Sequence, residues 1–315
     1  MRPAFSVIFL TTLCGAAQGL LLVLVAVEAS ARLAGLYVPS AFYVFGAALA
    51  VVLGTLGLAA SFFHLGHPER AWRAIAMWRT SWLSRECIAL PVFLSLCTAY
   101  GAAHWAGMSG TLAIGALAAL ASLALFVCTA MIYACLRFLQ EWASPLTLVN
   151  FVLLGCASGC TLATACAAWL APALVGKLAL CACALTLVGC ATRLASLLRN
   201  ARLKPKSTVQ SATGIRQAKV EQKSRGFTAS AFNTREFFHG QSGGTLRLVK
   251  IGFMMGAFAV PFVLTGAGAL APQSAAAAVA LGAAFVVQYA GLLAERWFFF
   301  ADARHPQNIY YQRAS

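Results

Sequence analysis

AFSVIFLTTLCGAAQGLLLVLVAV, Ala4–Val27, is the stretch that decides the fold. It runs 24 residues without a charge. The apolar core of a secretory leader spans only ~7–15 residues, whereas a helix crossing a bilayer needs about 20. The length assigns the stretch to a membrane span rather than to a cleaved leader. Working outward, apolar windows of span length cover approximately 5–28, 42–63, 84–104, 111–136, 145–170, 173–198, 248–271 and 274–297. Pro39, Pro68, Pro145, Pro172 and Pro272, with Gly107 and Gly110, punctuate the joins.

Composition agrees. The chain is 61% hydrophobic and 10% charged, with a mean hydropathy of +0.81, against about 25% charged residues in soluble domains. Backbone groups in lipid need partners within the chain, which a helix supplies inside one segment. A barrel would show alternating polarity, and none is present. The expected fold is all-α, a polytopic bundle of eight transmembrane helices forming a single membrane domain over 1–315.

The formal charge is +15. With eight spans, the N-terminus, the C-terminus and the loops near 64–83, 137–144 and 199–247 share one side. Of the lysines and arginines, only Arg32 and Lys177 fall on the other. Basic loops stay in the cytoplasm, so both termini are expected there, in an inner-membrane protein. Removing one span from the count destroys the asymmetry. The charge then reflects topology, and no nucleic-acid partner is expected. The basic loop 199–247 reads either as a solvated segment against anionic lipid or as a docking surface, with Phe227, Phe232, Phe237 and Phe238 as anchors.

Ten of the eleven cysteines lie within apolar runs, where they act as small packing residues. No CxxC run offers a metal or iron–sulfur site.

One polar stretch stands out: HLGHPERAWRAIAMWRTSWLSREC, His64–Cys87, with four arginines, two glutamates and two histidines. It lies between the second and third spans. Pro68 suits the first turn of a short interfacial helix, with Trp72, Ile75 and Ala76 on one face. Trp78 and Trp82 fit an aromatic belt. His64 closes span two and Glu86 opens span three at the same side, so one pocket at headgroup level is open to both. Ionisable residues at membrane depth tend to be functional. The alternatives are helix capping for Glu86, near Ser81 or Ser84, and headgroup anchoring for the arginines. A second polar group, Glu295, Arg296, Asp302, Arg304 and His305, ends span eight. It reads as a site or as a charged stop. Gln18 and Glu28 read as lining a polar path or, more simply, as isolated packing or capping groups. No haem is expected, because His64 and His104 fall at opposite faces and the other histidines lie in loops or the tail.

SFFHLGHPERAW (61–72), SWLSRE (81–86) and AERWFFF (294–300) resemble the dimethyl sulfoxide reductase membrane-anchor family, relatives of the polysulfide-reductase anchors. The resemblance implies a haem-free anchor of a three-subunit molybdenum enzyme that exchanges electrons with ubiquinone or menaquinone. It implies two partners on the cytoplasmic face: a ferredoxin-like iron–sulfur subunit and a molybdopterin catalytic subunit. Site roles implied by the family map to His64 and Glu86 as the proton-handling pair. Arg70, Trp82, Arg85, Glu295 and Arg296 complete the expected quinone contacts. The long form of the His64 stretch, with ARH at 303–305, is most similar to members serving cytoplasmic sulfite oxidation. The other readings are an anchor for a quinol-fed reductase of sulfoxide or sulfur compounds, and a transporter, whose mark is inverted repeats with broken helices.

Overall fold

The computed structural model describes residues 1–63, 65–221, 223, 237–270 and 274–310. Eight long helices dominate: α1 Phe5–Leu33, α2 Ser40–Phe62, α3 Trp82–Trp105, α4 Thr111–Ala134, α5 Pro145–Leu170, α6 Val175–Ala201, α7 Gly243–Leu270 and α8 Ala275–Asp302. All eight are long and apolar enough to cross a bilayer, and no strand occurs among the described residues. The expected spans are recovered, with ends extended by up to five residues where polar side chains continue the helix past the apolar core. Local chemistry sets the boundaries. Ser81 accepts a hydrogen bond from the Ser84 N–H at the start of α3, and Ser144 precedes Pro145 at the start of α5.

The helices pack as two rings of four. In the first, α1 touches α2 and α4, and α3 closes the ring between them; in the second, α5 touches α6 and α8, with α7 between. Each ring has four spans, so the second repeats the orientation of the first. This internal organisation is not visible in hydropathy. It differs from the inverted-topology repeats of many transporters, because the halves run parallel.

The rings meet where α1 crosses α5. Gly15 and Gly19 of α1 face Gly155 and Gly159 of α5, two small-xxx-small pairs in contact. A Cβ on Gly159 would lie 2.6 Å from Gly19 Cα, and one on Gly19 would lie 2.9 Å from Cys156 Cα. Both obstacles are backbone, which cannot move aside as a side chain can. Accordingly α1 and α5 are the most enclosed helices. A similar approach joins α7 to α8, with Gly291 against the Gly256–Ala257 backbone. There α7 relaxes into a π-turn at Met255–Ala259, and Gln288 of α8 donates to Ala257 O at 3.3 Å and to Thr186 Oγ1 at 3.2 Å. The cysteines are free thiols; Cys14, Cys97, Cys128, Cys160 and Cys166 are buried, and Cys14, Cys97 and Cys160 donate weakly to backbone carbonyls, whereas Cys135 and Cys181 are exposed.

The Met1 amine donates to Ala303 O at 2.8 Å and to Phe300 O at 3.1 Å, so the start of α1 and the end of α8 share one face. That face is called proximal below, and the other distal.

Gly159→Val is expected to abolish the folded chain, because the branched side chain drives α1 and α5 apart. Gly282→Ala, at an α8 position with nothing within 4 Å, is expected to be neutral or to stabilise by about 0.5–1 kcal/mol. Yield of monodisperse protein and thermal melting in detergent distinguish the two.

Candidate functional site

Three polar centres are built from the helix ends. The first is Glu86, on the second turn of α3 at the proximal face. It is 8% exposed and turned inward, where Thr129 Oγ1 of α4 donates to its Oε1 at 2.5 Å. Cys14 of α1 and Tyr133 of α4 lie within its electrostatic reach. No cation is held against it among the described residues. An inward carboxyl with one hydroxyl donor is suited to exchanging protons with a ligand.

His64, the expected companion of Glu86, lies outside the described residues. Arg85 is turned away from its neighbour. Its Nε donates to Trp78 O at 2.9 Å, its Nη2 donates to Arg79 O at 2.8 Å, and its guanidinium lies 4.2 Å over the Trp82 ring. Arg85 and Trp82 thus fasten the preceding loop to the start of α3. Arg70 sits in an exposed 3-10 segment, Pro68–Met77, with its Nε 3.8 Å from Glu69 Oε1. Trp72, Ile75, Met77 and Trp78 are exposed on that segment and just beyond it. Neither Arg70 nor Arg85 forms an ion pair with Glu86.

Glu295 and Arg296 belong to a second centre, inside the second ring. Arg193 of α6, missed in the sequence because it reads as the charged end of a span, lies 2.7 Å from Glu295 Oε1 through its Nε. Arg296 Nη2 is 3.8 Å from Glu295 Oε2, and its guanidinium lies 3.8 Å over Phe151. All three residues are buried. The Arg193–Glu295 contact is poorly aligned for a hydrogen bond, and Arg193 Nε, Arg193 Nη2 and Arg296 Nε have no acceptor. Tyr133 stands between this centre and Glu86. It is one turn past Thr129 on α4, and its ring stacks on Phe151 at 5.6 Å. The two polar groups expected to form one quinone site therefore occupy different rings, separated by an aromatic wall.

The third centre is distal and was not expected. Glu28, read from the sequence as isolated, is 3% exposed and accepts four hydrogen bonds. Its Oε1 accepts from Thr111 Oγ1 at 2.5 Å and Arg32 Nη2 at 2.7 Å; its Oε2 accepts from Tyr100 OH at 2.9 Å and pairs with His104 Nε2 at 3.2 Å. His104 stacks on Tyr43 at 4.3 Å. The donors come from the distal ends of α1, α3 and α4, so the carboxylate ties these three helices together. A cavity of about 300 Å³ opens beside it.

Known proteins share this sequence pattern. A family model described as the DMSO reductase anchor subunit (DmsC) matches residues 1–220. The C subunit of sulfite dehydrogenase from Allochromatium vinosum is 53% identical over 330 residues, covering 99% of each chain.

Glu295→Gln removes the one carboxylate beside two buried guanidinium groups. It is expected to destabilise the chain by about 3–5 kcal/mol, as removal of one partner from a buried pair does. Arg70→Gln, on the exposed segment, is expected to change stability by less than about 0.5 kcal/mol. Denaturation midpoints in detergent check both values.

Proposed function

Because this chain belongs to the DMSO reductase anchor-subunit family, the membrane anchors of multi-subunit oxidoreductases, we propose that it is the quinone-reactive anchor of a sulfite-oxidising complex. The identity to the C subunit of a sulfite dehydrogenase, along nearly the full length of both chains, carries this reading. In it, a molybdopterin partner oxidises sulfite and water to sulfate, releasing two electrons and two protons. The electrons pass through a ferredoxin-like iron–sulfur partner to ubiquinone or menaquinone at the proximal face. Both partners dock there, in the cytoplasm, as the concentration of basic residues on that side of the inner membrane supports. The exposed Trp72, Ile75 and Trp78, interleaved with Arg70, Arg73 and Arg79, offer apolar anchors within a basic rim.

A two-electron reduction of quinone takes up two protons. Glu86 relays them, a role supported by its position just inside the proximal face with a single hydroxyl donor among the described residues. His64, in the adjoining loop sequence, supplies a donor to a quinone carbonyl and a group whose ordinary pKa lies near neutrality. Arg85 and Trp82 serve this site indirectly, by holding the loop that precedes α3, and Arg70, exposed on that loop, adds positive charge beside it. Glu295 and Arg296 belong to the second ring, where Arg296 stacks on Phe151 beside Tyr133, and act on the site from that side. Tyr133, with its ring against Phe151, keeps water out of the space between the rings.

Glu86→Gln and His64→Ala are each expected to lower quinone-dependent turnover of the assembled complex by about 100-fold or more, the usual size of an acid–base contribution. Sulfite oxidation coupled to a soluble dye should survive in both. Undiminished quinone turnover in both variants overturns the site, and an absence of sulfite oxidation in the wild-type complex overturns the function.

A further inference from the structure

One cavity belongs to none of the three centres. It is a groove of about 490 Å³ at the proximal mouth of the second ring, between the ends of α6 and α8 and the first turns of α7. Lys206, Lys250 and Arg304 line it, and none of the three forms an ion pair among the described residues. His305 adds a ring stacked on Phe237 at 3.7 Å. Two carboxyls also line the groove, and both are engaged in its wall. Asp302 accepts from Asn200 Nδ2 at 3.1 Å. Glu141 accepts from the Arg304 backbone N–H. Leu197 and Phe298 supply an apolar floor.

The cations are spread in depth. Arg304 lies two residues beyond α8 and Lys206 five beyond α6, whereas Lys250 is seven residues into α7. At 1.5 Å per residue that last offset is roughly 10 Å below the helix start. This is the depth range of phospholipid headgroups, and basic pockets between helix ends on the cytoplasmic side suit their phosphates. A free anion would need only the outer pair of cations. An apolar floor leading inward from the phosphate fits a glycerol backbone with acyl chains attached.

We propose that this groove is a binding site for the headgroup of an anionic phospholipid. Lys206, Lys250 and Arg304 contact the phosphate, and Leu197 and Phe298 contact the first acyl carbons. Bound there, the lipid joins the start of α7 to the ends of α6 and α8, which the Asn200–Asp302 hydrogen bond already links to each other.

Native mass spectrometry of the purified complex, after exchange through nanodiscs of phosphatidylglycerol or of phosphatidylethanolamine, tests this. Retained phosphatidylglycerol is expected on the wild type. Its affinity should fall about fivefold in Lys250→Gln and about 100-fold in K206Q/K250Q/R304Q, given the attraction of each basic residue for an anionic surface. Equal retention by wild type and the triple variant overturns the proposal. So does displacement of the lipid by millimolar inorganic phosphate, which would mark a free-phosphate site. Protection of Lys250 from acylation by a partner protein, with lipid retention unchanged in the variants, would assign the groove to protein docking instead. None of these readouts depends on quinone turnover.

Discussion

The structure depends on one close approach, the crossing of α1 and α5 through four glycines. Lipid tails are as apolar as leucine, so the hydrophobic effect gives helices inside a bilayer little reason to associate. Packing must supply the attraction, and dispersion falls steeply with distance. Gly15, Gly19, Gly155 and Gly159 let the two backbones come into contact, with a Cβ excluded at Gly19, Gly155 and Gly159. Everything else is arranged around this contact. Each ring of four takes one of the two helices as its innermost member, and the wall of Tyr133, Phe151 and Phe299 fills the junction toward the proximal end.

Around that crossing, the polar groups divide by how completely they are paired. Glu28 has four donors from three helices and acts as a clasp. Glu295 neutralises one of two buried arginines, leaving guanidinium N–H groups unpaired beside an aromatic wall. Among the described residues, Glu86 has a single hydroxyl donor. A fully paired carboxylate contributes rigidity, because changing its protonation breaks several bonds at once. A sparsely paired one can change state at little structural cost. This difference separates the proposed proton-handling group from the other two carboxylates, although all three sit near helix ends and look alike in sequence.

Much of the fold was legible because the bilayer imposes a length scale. About 20 apolar residues must recur for each crossing, so the eight helices follow from hydropathy alone. The Ser81 cap and the Pro145 start were readable for a similar reason, since they act within one turn of the chain. The pairing of the helices was not readable in this way. The glycine pairs at 15 and 19, and at 155 and 159, are a four-residue spacing open to inspection, but spacing does not say which helix answers which. The Glu28 clasp was missed because its donors, Tyr100, His104 and Thr111, are more than 70 residues away. Arg193 passed for the charged end of a span, and only packing against α8 gives it Glu295.

By itself, the sequence determined the class of the protein, the number and bounds of its spans, the sidedness expected from its charge, and the family through the short polar motifs after span two and in span eight. These are local or additive properties, set by runs of residues and by sums of charge. The tertiary structure alone decided that the spans form two parallel rings, that Glu86 and the Glu295–Arg296 pair lie in different rings, that Arg85 faces the loop rather than its neighbour, and that a basic groove opens between α6, α7 and α8. Each of these depends on which faces of distant helices meet. In a bilayer that choice is made by close packing and by the pairing of a few buried polar groups, and neither leaves a periodic trace along the chain.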